Sequence, residues 1–160
     1  AYAWRKADAL GIDRDRIFAV GSSAGGHLAA CLASRGWQDG FGLPGQALAG
    51  CMPVSGLFDL APIARSHPQD WLNLSSDDVA ATSPLRHVPE TGCPMVVALA
   101  ETEAEGFKRQ SQAYADAWAA AGRPTPHMVI EGRNHFDVVL DLCSDRTALS
   151  LALLDMIGQS

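Results

Sequence analysis

The sequence predicts an α/β fold, with a mostly parallel sheet of about four strands and helices on both faces. Short apolar runs alternate with helical patterns along the chain, as they do in strand–helix–strand units. The runs are apolar throughout rather than at alternate positions, which is typical of strands buried on both faces. No internal repeat or low-complexity linker interrupts the 160 residues, so we expect a single domain over 1–160.

Four apolar runs are the strand candidates. They lie at residues 16–20, 48–54, 94–100 and 127–131. Their lengths are those of ordinary buried strands rather than of helices. Pro53 is expected at the end of its strand, because proline has no N–H to donate to a central ladder.

Helical patterns occupy most of the remaining chain. They cover residues 1–10, 27–34, 105–121 and about 145–157. Gly11, Gly36 and Gly122 follow the first three patterns, and glycine commonly ends a helix. The third helix is amphipathic, with an apolar face of Phe107, Tyr114, Trp118 and Ala121. The last helix has an apolar side of Leu149, Ala152, Leu153 and Met156.

The stretch 60–92, between the second and third strands, has no long pattern of either kind. Two proline dipeptides, His67-Pro68 and Ser83-Pro84, separate its short helical pieces. We expect this stretch to be a cap or a loop that faces the substrate.

The composition excludes several classes of partner and predicts no metal site. A net charge of −6 without a basic cluster disfavours nucleic acid and anionic membranes, since both would repel the chain. No apolar run approaches the roughly 18–20 residues of a membrane helix. The cysteines form no CxxC pair and lack zinc-ligand spacing, so we expect reduced, buried thiols in a cytoplasmic protein. They are Cys31, Cys51, Cys93 and Cys143.

Residues Gly21 to Gly25 match the pattern G-x-S-x-G, in which a sharp turn from strand to helix exposes a serine. The predicted strand before the pattern and the helix after it supply the required context. Ser23 is therefore the predicted nucleophile, and the N–H of Ala24 is expected where an oxyanion would form. Side chains at Gly21 and Gly25 are expected to clash with neighbouring backbone. Ser22 does not fit the pattern and is interpreted as a structural hydroxyl.

Such a serine requires a carboxylate and a histidine base, which follow it in that order along the chain. Among five histidines, His135 alone lies in a loop just beyond the last strand, where a general base can reach the serine. His27, one helical turn after Ser23, is expected to pack or hydrogen-bond locally. Position alone does not separate the acid candidates after the third strand, Glu101, Glu103 and Glu105. Asp59, after the second strand, is a weaker candidate.

The segment GSSAGGHLA at 21–29 resembles the nucleophile segment of the hormone-sensitive-lipase-like branch of α/β-hydrolases. Four further segments are similar to arylformamidase (kynurenine formamidase), and the match extends over nearly the whole chain. They are VSGLFDLAPI at 54–63, TSPLRHV at 82–88, GFKRQS at 106–111 and GRNHFDVVLDL at 132–142. The resemblance implies the C-terminal part of an α/β-hydrolase fold, no cofactor, and a small-molecule substrate, N-formyl-L-kynurenine, hydrolysed to formate and kynurenine.

The resemblance also implies the roles of individual residues. Ser23 matches the family nucleophile, His135 the base, and Glu103 the acid, counted back from the Phe-Lys-Arg-Gln-Ser run. The family commonly has aspartate there, so the extra methylene requires a shift of the loop, and Glu101 is the reserve candidate. Trp71 and Phe136 are candidates to line the aryl side of the site, although core packing is the preferred interpretation. A carboxylesterase of short acyl esters and a non-catalytic fragment or binding module are the alternative functions.

One departure from the family concerns the oxyanion hole. Family members carry a His-Gly-Gly segment after an early strand, and this sequence contains none. The resemblance thus implies that N-terminal strands are missing and that the chain is a fragment. Loss of one oxyanion donor lowers rates by roughly 10²–10³-fold, so we expect feeble hydrolysis by these 160 residues. The run 16–20 would then be an exposed apolar edge, and we expect poor solubility or association into a homo-oligomer.

Overall fold

Four parallel strands form one sheet in the computed structural model, which describes residues 1–158; residues 159 and 160 of the expected domain lie outside it. The strands are β1 (Phe18–Ser22), β2 (Gly50–Val54), β3 (Val97–Ala100) and β4 (His127–Ile130). They are hydrogen-bonded in the order β1-β2-β3-β4, and all three pairs are parallel. The predicted parallel sheet of four strands is confirmed.

The helices occupy the predicted regions, with some changes of extent. They are α1 (Tyr2–Arg5), α2 (Ala7–Leu10), α3 (Ala24–Ala33), α4 (Gln69–Leu72), α5 (Ser76–Thr82), α6 (Glu105–Ala120) and α7 (Ala148–Gly158). The helix expected over 1–10 is interrupted at Lys6, and Gly11 ends its second piece with a φ of 65°. The stretch 60–92 contains the short helices α4 and α5, and its expected substrate-facing role stays a prediction.

Two apolar clusters lie on opposite faces of the sheet, because successive side chains of a strand point to opposite faces. On one face α3 and α6 cover the sheet through buried residues that include Ala29, Ala30, Tyr114 and Trp118. On the other face α7 packs against Met52, Val54 and Ala98 through Leu149 and Met156. Helices therefore cover both faces, as predicted.

The buried face of α6 agrees with the predicted one at Tyr114 and Trp118 and differs at Phe107 and Ala121. Its buried residues are Ser111, Tyr114, Ala115 and Trp118. Phe107 lies in the first turn of the helix and contacts the ring of His135 instead of the core. Ala121 lies beyond the last helical residue.

Pro53 lies near the end of its strand, as expected: it is the second-last residue of β2 and is in register with Gly21 of β1. The N–H of Cys51, two residues earlier, donates to the Pro94 carbonyl on the β3 side at 2.9 Å. Residues two apart direct their backbone groups to the same neighbouring strand, so the absent N–H of Pro53 faces β3. The residues of β2 and β3 that are in register are Cys51 with Met95 and Val54 with Ala98. The proline thus interrupts only the β2–β3 ladder and leaves the pairing with β1 continuous.

The first strand begins and ends two residues later than predicted. Residues Arg14–Arg16 form a 3-10 turn that the Asp13 side chain caps by accepting from the Asp15 N–H. Gly21 and Ser22 continue the strand up to the nucleophile turn. β1 is an outer strand of this four-stranded sheet, and its Val20 is 38% exposed.

Close backbone approach explains two glycines of the turn, but only one of the two predicted. A Cβ on Gly21 would lie 2.2 Å from the Gly25 carbonyl oxygen, which no rotamer change relieves. A Cβ on Gly25 itself would meet nothing within 4 Å, so the expected clash there is wrong. The second constrained position is Gly26, where a Cβ would lie 2.6 Å from the Val54 carbonyl oxygen of the adjacent strand.

The thiols are not uniformly buried. All four cysteines are free; Cys51 and Cys93 are buried, Cys31 is partly buried, and Cys143 is exposed, which corrects the expectation for the last two. Cys143 ends a 3-10 segment on the surface and not an apolar core element. Burial raises the pKa of Cys93 to about 11, although its own backbone and Arg123 act in the opposite direction.

Residues 1–158 contain neither a candidate membrane span nor a candidate metal-binding cluster. None of the helices there combines the length and the apolar character that a membrane crossing requires. Within the same residues, His, Cys, Asp and Glu side chains do not gather in groups of three or more that could hold a metal ion.

The glycine contacts lead to a stability prediction. Gly26→Ala should lower the free energy of unfolding by about 1–3 kcal/mol, because the methyl group forces α3 away from β2. Gly25→Ala is the matched control and should leave stability unchanged or slightly raised, since alanine favours a helix by up to about 1 kcal/mol. Chemical denaturation of the two variants measures the difference, and equal stabilities would contradict the packing described.

Candidate active site

The candidate site lies at the carboxyl edge of the sheet, where parallel strands bring their following loops together. Ser23 follows β1, Ser55 follows β2, Glu103 follows β3, and His135 follows β4. Four residues distant in sequence therefore lie along one edge. The sheet order β1-β2-β3-β4 places the serine loop and the histidine loop at opposite ends of that edge, so the loops must reach inward to meet.

Ser23 occupies a strained backbone conformation between strand and helix. Its φ is 58° and its ψ is −118°, a region that residues other than glycine rarely adopt. Its N–H donates to the Val54 carbonyl at 2.9 Å, and its carbonyl accepts from the His27 N–H at 3.0 Å. These two bonds hold the turn, and α3 begins at the next residue, Ala24. The N–H of Ala24 therefore lies at a helix N-terminus, where backbone donors have no partner within the helix.

A hydrogen-bonded chain joins the three side chains that the sequence singles out. The Nε2 atom of His135 is 2.9 Å from Ser23 Oγ, and its Nδ1 is 3.3 Å from Glu103 Oε1. Because a carboxylate oxygen only accepts, the ring proton belongs on Nδ1, and Nε2 is left to accept the hydroxyl proton of Ser23. The structure thus brings Ser23, His135 and Glu103 together.

The carboxylate end of this chain is shielded from solvent. The Glu103 side chain has no exposed surface, whereas the His135 side chain is 24% exposed. Ser55 Oγ donates to Glu103 Oε1, and the Ala100 N–H approaches the same oxygen at 3.4 Å. Glu103 Oε2 has no hydrogen-bond partner among residues 1–158. All hydrogen bonds that these residues give to the carboxylate therefore converge on the oxygen that faces the imidazole.

Each of the other candidate acids has a different partner. Glu101 Oε2 accepts from the Gly132 N–H at 2.8 Å at the surface. Glu105 lies in the first turn of α6 and pairs with Lys108 at 3.3 Å. Asp59 lies 3.6 Å from the Arg86 guanidinium. Of the four carboxylates considered from the sequence, only Glu103 contacts His135.

The loops that carry the acid and the histidine are tied to each other. The Glu101 N–H donates to the Ile130 carbonyl at 3.1 Å, which extends the β3–β4 pairing by one step. Beyond it, Thr102 donates to the Arg133 carbonyl from both its N–H, at 3.0 Å, and its hydroxyl, at 2.8 Å. These bonds set the separation between Glu103 and His135 independently of the hydrogen bond between the two side chains.

A local turn fixes the direction of the imidazole. Asn134 Oδ1 accepts from the Phe136 N–H at 2.8 Å, which is an Asx-type turn across His135. The Asn134 N–H in turn donates to an Asp137 carboxylate oxygen at 2.7 Å. The Phe107 ring lies 4.7 Å from the imidazole, centroid to centroid, and restricts its rotation from the α6 side.

The remaining histidines serve local contacts. The Nδ1–H of His27 donates to the Leu57 carbonyl at 2.7 Å, the local hydrogen bond expected of it. His67 contacts Asp70 at the surface, and His87 Nε2 lies 2.7 Å from the Ala80 carbonyl. Burial lowers the pKa of His127 against an opposing effect of Asp116.

The expectation of core packing is wrong for both aromatic residues considered for the site. Trp71 is 64% exposed and Phe136 is 87% exposed. Phe136 stands edge-on to the His135 ring, with centroids 5.5 Å apart and an interplanar angle of 89°. Its ring therefore lies on the surface directly beside the imidazole.

Two polar residues that were not predicted from the sequence also support the site, Ser55 and Gln110. Ser55 directly follows the second predicted strand, and this position at the carboxyl edge of a parallel sheet is a sequence signal that points to it. Gln110 had no such signal, because its partners are backbone groups far away in sequence. Its Oε1 accepts from the N–H groups of Phe58 and Asp59, each at 2.7 Å.

Comparison with known proteins reveals similar sequences among formamidases. Kynurenine formamidase of Danio rerio is 30% identical over 149 residues, which are 90% of this chain and 50% of that protein. The Salmo salar protein of the same name is 29% identical over 150 residues, again 90% and 50% of the two chains. The chain thus spans about half the length of the curated relatives it matches.

Solved structures share the fold over nearly the whole chain. A Silicibacter sp. tm1040 protein superposes with a TM-score of 0.74 at 24% identity, covering 93% of this chain and 54% of that one. Butyrate-bound esterase 2 of Thermogutta terrifontis superposes with a TM-score of 0.68 at 21% identity, covering 99% and 59%. A family model described as the alpha/beta hydrolase fold matches residues 1–138. The chain therefore belongs to the α/β-hydrolase family.

Proposed function

We propose that this chain carries the catalytic serine, histidine and carboxylate of a hydrolase that cleaves amide or ester bonds through an acyl-enzyme. The observation that carries the proposal is the continuous contact from Ser23 Oγ through His135 to Glu103. Nucleophile, base and orienting acid within hydrogen-bond reach are the geometry that this chemistry requires. In this role Ser23 is the nucleophile, His135 the general base and Glu103 the acid.

The proposed reaction follows from which atoms face each other. His135 Nε2 takes the hydroxyl proton as Ser23 Oγ attacks the substrate carbonyl, and the tetrahedral oxyanion lies against the Ala24 N–H. The imidazolium then gives its proton to the leaving amine or alcohol, which departs and leaves an ester on Ser23. Water, deprotonated by the same nitrogen, attacks that ester, the acyl group leaves as the carboxylic acid, and the imidazolium returns its proton to Ser23 Oγ. Glu103 stays ionised and stabilises the imidazolium in both halves of the cycle.

The proposed substrate is N-formyl-L-kynurenine, hydrolysed to formate and kynurenine. Two relatives named kynurenine formamidase, each matched over 90% of this chain, support this choice. The exposed Phe136 ring beside His135 offers an apolar surface for the aryl group of such a substrate. The reaction needs neither a metal nor an organic cofactor, and the free thiols fit the reducing cytoplasm in which we propose that the protein acts.

A carboxylesterase of short acyl esters is the second candidate. The Thermogutta terrifontis esterase has been solved with butyrate bound, and its fold matches that of this chain. Both candidates use the same three side chains and differ only in the acyl and leaving groups. A non-catalytic binding module is the least favoured alternative, because it gives no reason for a strained serine 2.9 Å from an imidazole.

The proposal makes a direct prediction about Ser23. A fluorophosphonate probe should label Ser23, and Ser23→Ala should abolish both labelling and any hydrolysis above background, a loss of roughly 10⁴–10⁶-fold in an efficient enzyme. Ser22→Ala, which removes the neighbouring hydroxyl, is the matched control and should retain both. Mass spectrometry of the labelled peptide identifies the modified serine. Unlabelled native protein, or labelling at another residue, would refute the proposed nucleophile.

Substitutions of Glu103 and of Glu101 should have different effects on the labelling rate. Glu103→Gln should slow labelling by roughly 10³–10⁴-fold, because the imidazole loses the partner that holds its proton on Nδ1. Glu101→Gln should change the rate by less than about threefold, since Glu101 bonds to the Gly132 N–H and not to His135. The labelling rates of the two variants, measured side by side, decide between them. A slow Glu101 variant beside a fast Glu103 variant would reverse the assignment.

The substrate assignment predicts a preference between two acyl compounds. The chain should hydrolyse N-formyl-L-kynurenine with a higher kcat/KM than p-nitrophenyl butyrate, because the formyl group requires little space beside Ser23. The Ser23→Ala protein provides the blank for both assays, so that feeble rates remain measurable. Release of kynurenine and of p-nitrophenol is followed by absorbance. A higher kcat/KM for the butyrate ester would favour the carboxylesterase.

A further inference from the structure

We propose that Ser55 is a positioning residue, whose hydroxyl holds the Glu103 carboxylate in the place from which it orients His135. The inference rests on the proposed function of Ser23, His135 and Glu103. It adds a fourth side chain to the site, which acts on the reaction only through Glu103.

The contact is buried on both sides. Ser55 has no exposed surface, and neither has the Glu103 side chain. Ser55 Oγ donates to Glu103 Oε1. The other two donors to that oxygen, His135 Nδ1 and the Ala100 N–H, lie at 3.3 Å and 3.4 Å. Those two distances are at or beyond the long end of ordinary N–H···O hydrogen bonds. Ser55 is therefore the hydroxyl donor to the carboxylate among the described residues, beside two long N–H contacts.

A buried carboxylate depends on such a donor. An ionised group removed from water loses its hydration, and only hydrogen bonds or an opposite charge within the protein replace it. Because Glu103 Oε2 has no partner among residues 1–158, the compensation falls on Oε1. Without the Ser55 hydroxyl, the carboxylate would keep only the two long contacts and would be free to rotate away from the imidazole.

The backbone conformation at Ser55 favours glycine over serine, which indicates that the hydroxyl is retained for its contact with Glu103. Its φ is 49°, in the left-handed region where glycine is favoured because it has no Cβ. Only Ser23 and Asn73 share a positive φ among the non-glycine residues in 1–158. Glycine would therefore adopt this backbone conformation with less strain, but it could not supply the hydroxyl group.

The loop that carries Ser55 is held from three directions. The Ser55 N–H donates to the Ala98 carbonyl of β3 at 2.8 Å. From the α3 side, His27 donates to the Leu57 carbonyl at 2.7 Å, and from the α6 side Gln110 accepts from two backbone N–H groups of the same loop. A side chain on so constrained a loop can fix its partner within the narrow tolerance that a catalytic acid needs.

The test compares three serine variants by their rate of labelling with a fluorophosphonate. Ser55→Ala should slow labelling of Ser23 by roughly 10-fold to 100-fold, the equivalent of one lost hydrogen bond to a charged group. Ser55→Gly should slow labelling by the same factor. Its melting temperature should stay within about 3 °C of the native value, because glycine relieves the backbone strain. Ser111→Ala is the matched control, since that buried hydroxyl has no partner among the described residues, and it should label at the native rate.

A double-mutant cycle separates positioning from a general structural role. If Ser55 acts through Glu103, the Ser55→Ala/Glu103→Ala protein should label no more slowly than Glu103→Ala alone. A further 10-fold loss in the double variant would show that Ser55 supports the site in another way and would overturn the inference. Native labelling rates in both Ser55 variants would overturn it as well.

Failure of the proposed function would be recognised separately. If native Ser23 is not labelled at all, the acyl-transfer proposal fails. The native protein, Ser55→Ala, Glu103→Ala and the double variant are then compared by chemical denaturation. Non-additive stabilities of the Ser55 and Glu103 variants would still support the buried contact, whereas additive stabilities would overturn it.

Discussion

A carboxylate without solvent exposure has to be hydrogen-bonded by the protein, and the arrangement of this site follows from that requirement. Glu103 lies beyond β3 with its side chain completely buried, and the donors to its carboxylate come from the ends of β2, β3 and β4. A parallel sheet supplies this convergence, because its loops on one edge carry side chains from several distant segments. The burial of the acid in turn strengthens its interaction with the imidazole, since the surrounding dielectric constant is low.

The serine end of the site is governed by close backbone packing instead of charge. Ser23 adopts its strained conformation because β1 passes directly into α3, and α3 then lies against β2. Gly21 and Gly26 permit this approach, as a Cβ on either would overlap a backbone carbonyl oxygen. The same packing starts α3 at Ala24, the residue that follows the serine. The strained conformation of Ser23 is thus maintained by close packing at Gly21 and Gly26, which take no part in the proposed reaction.

Much of this arrangement was predictable from the sequence. The apolar runs predicted the four strands and the covered sheet because strands buried on both faces have no polar positions. The G-x-S-x-G pattern predicted a strained serine because few residue types allow such a turn. Sequence position could not select Glu103 from its neighbours, since Glu101 and Glu105 lie two residues away on either side and differ only in where the loop points them.

Other features depend on contacts that no local pattern encodes. Pro53 is tolerated within β2 because its missing donor faces β3, so the pairing with β1 stays continuous. Phe107 continues the apolar pattern of α6 but packs on His135, which follows it by 28 residues. The glutamate at position 103, longer than the aspartate common in the resembled family, reaches Ser55 and the imidazole with one oxygen. Each of these depends on distances between separate elements.

The central claim is that His135 carries its proton on Nδ1, facing Glu103, and offers Nε2 to Ser23. Nitrogen-15 NMR of the histidine side chains at neutral pH reports the protonation of each ring nitrogen directly. The account predicts a neutral ring protonated at Nδ1 in the native chain, and a mixture of tautomers after Glu103→Ala. A proton found on Nε2 of the neutral native ring, with Nδ1 bare, would contradict it.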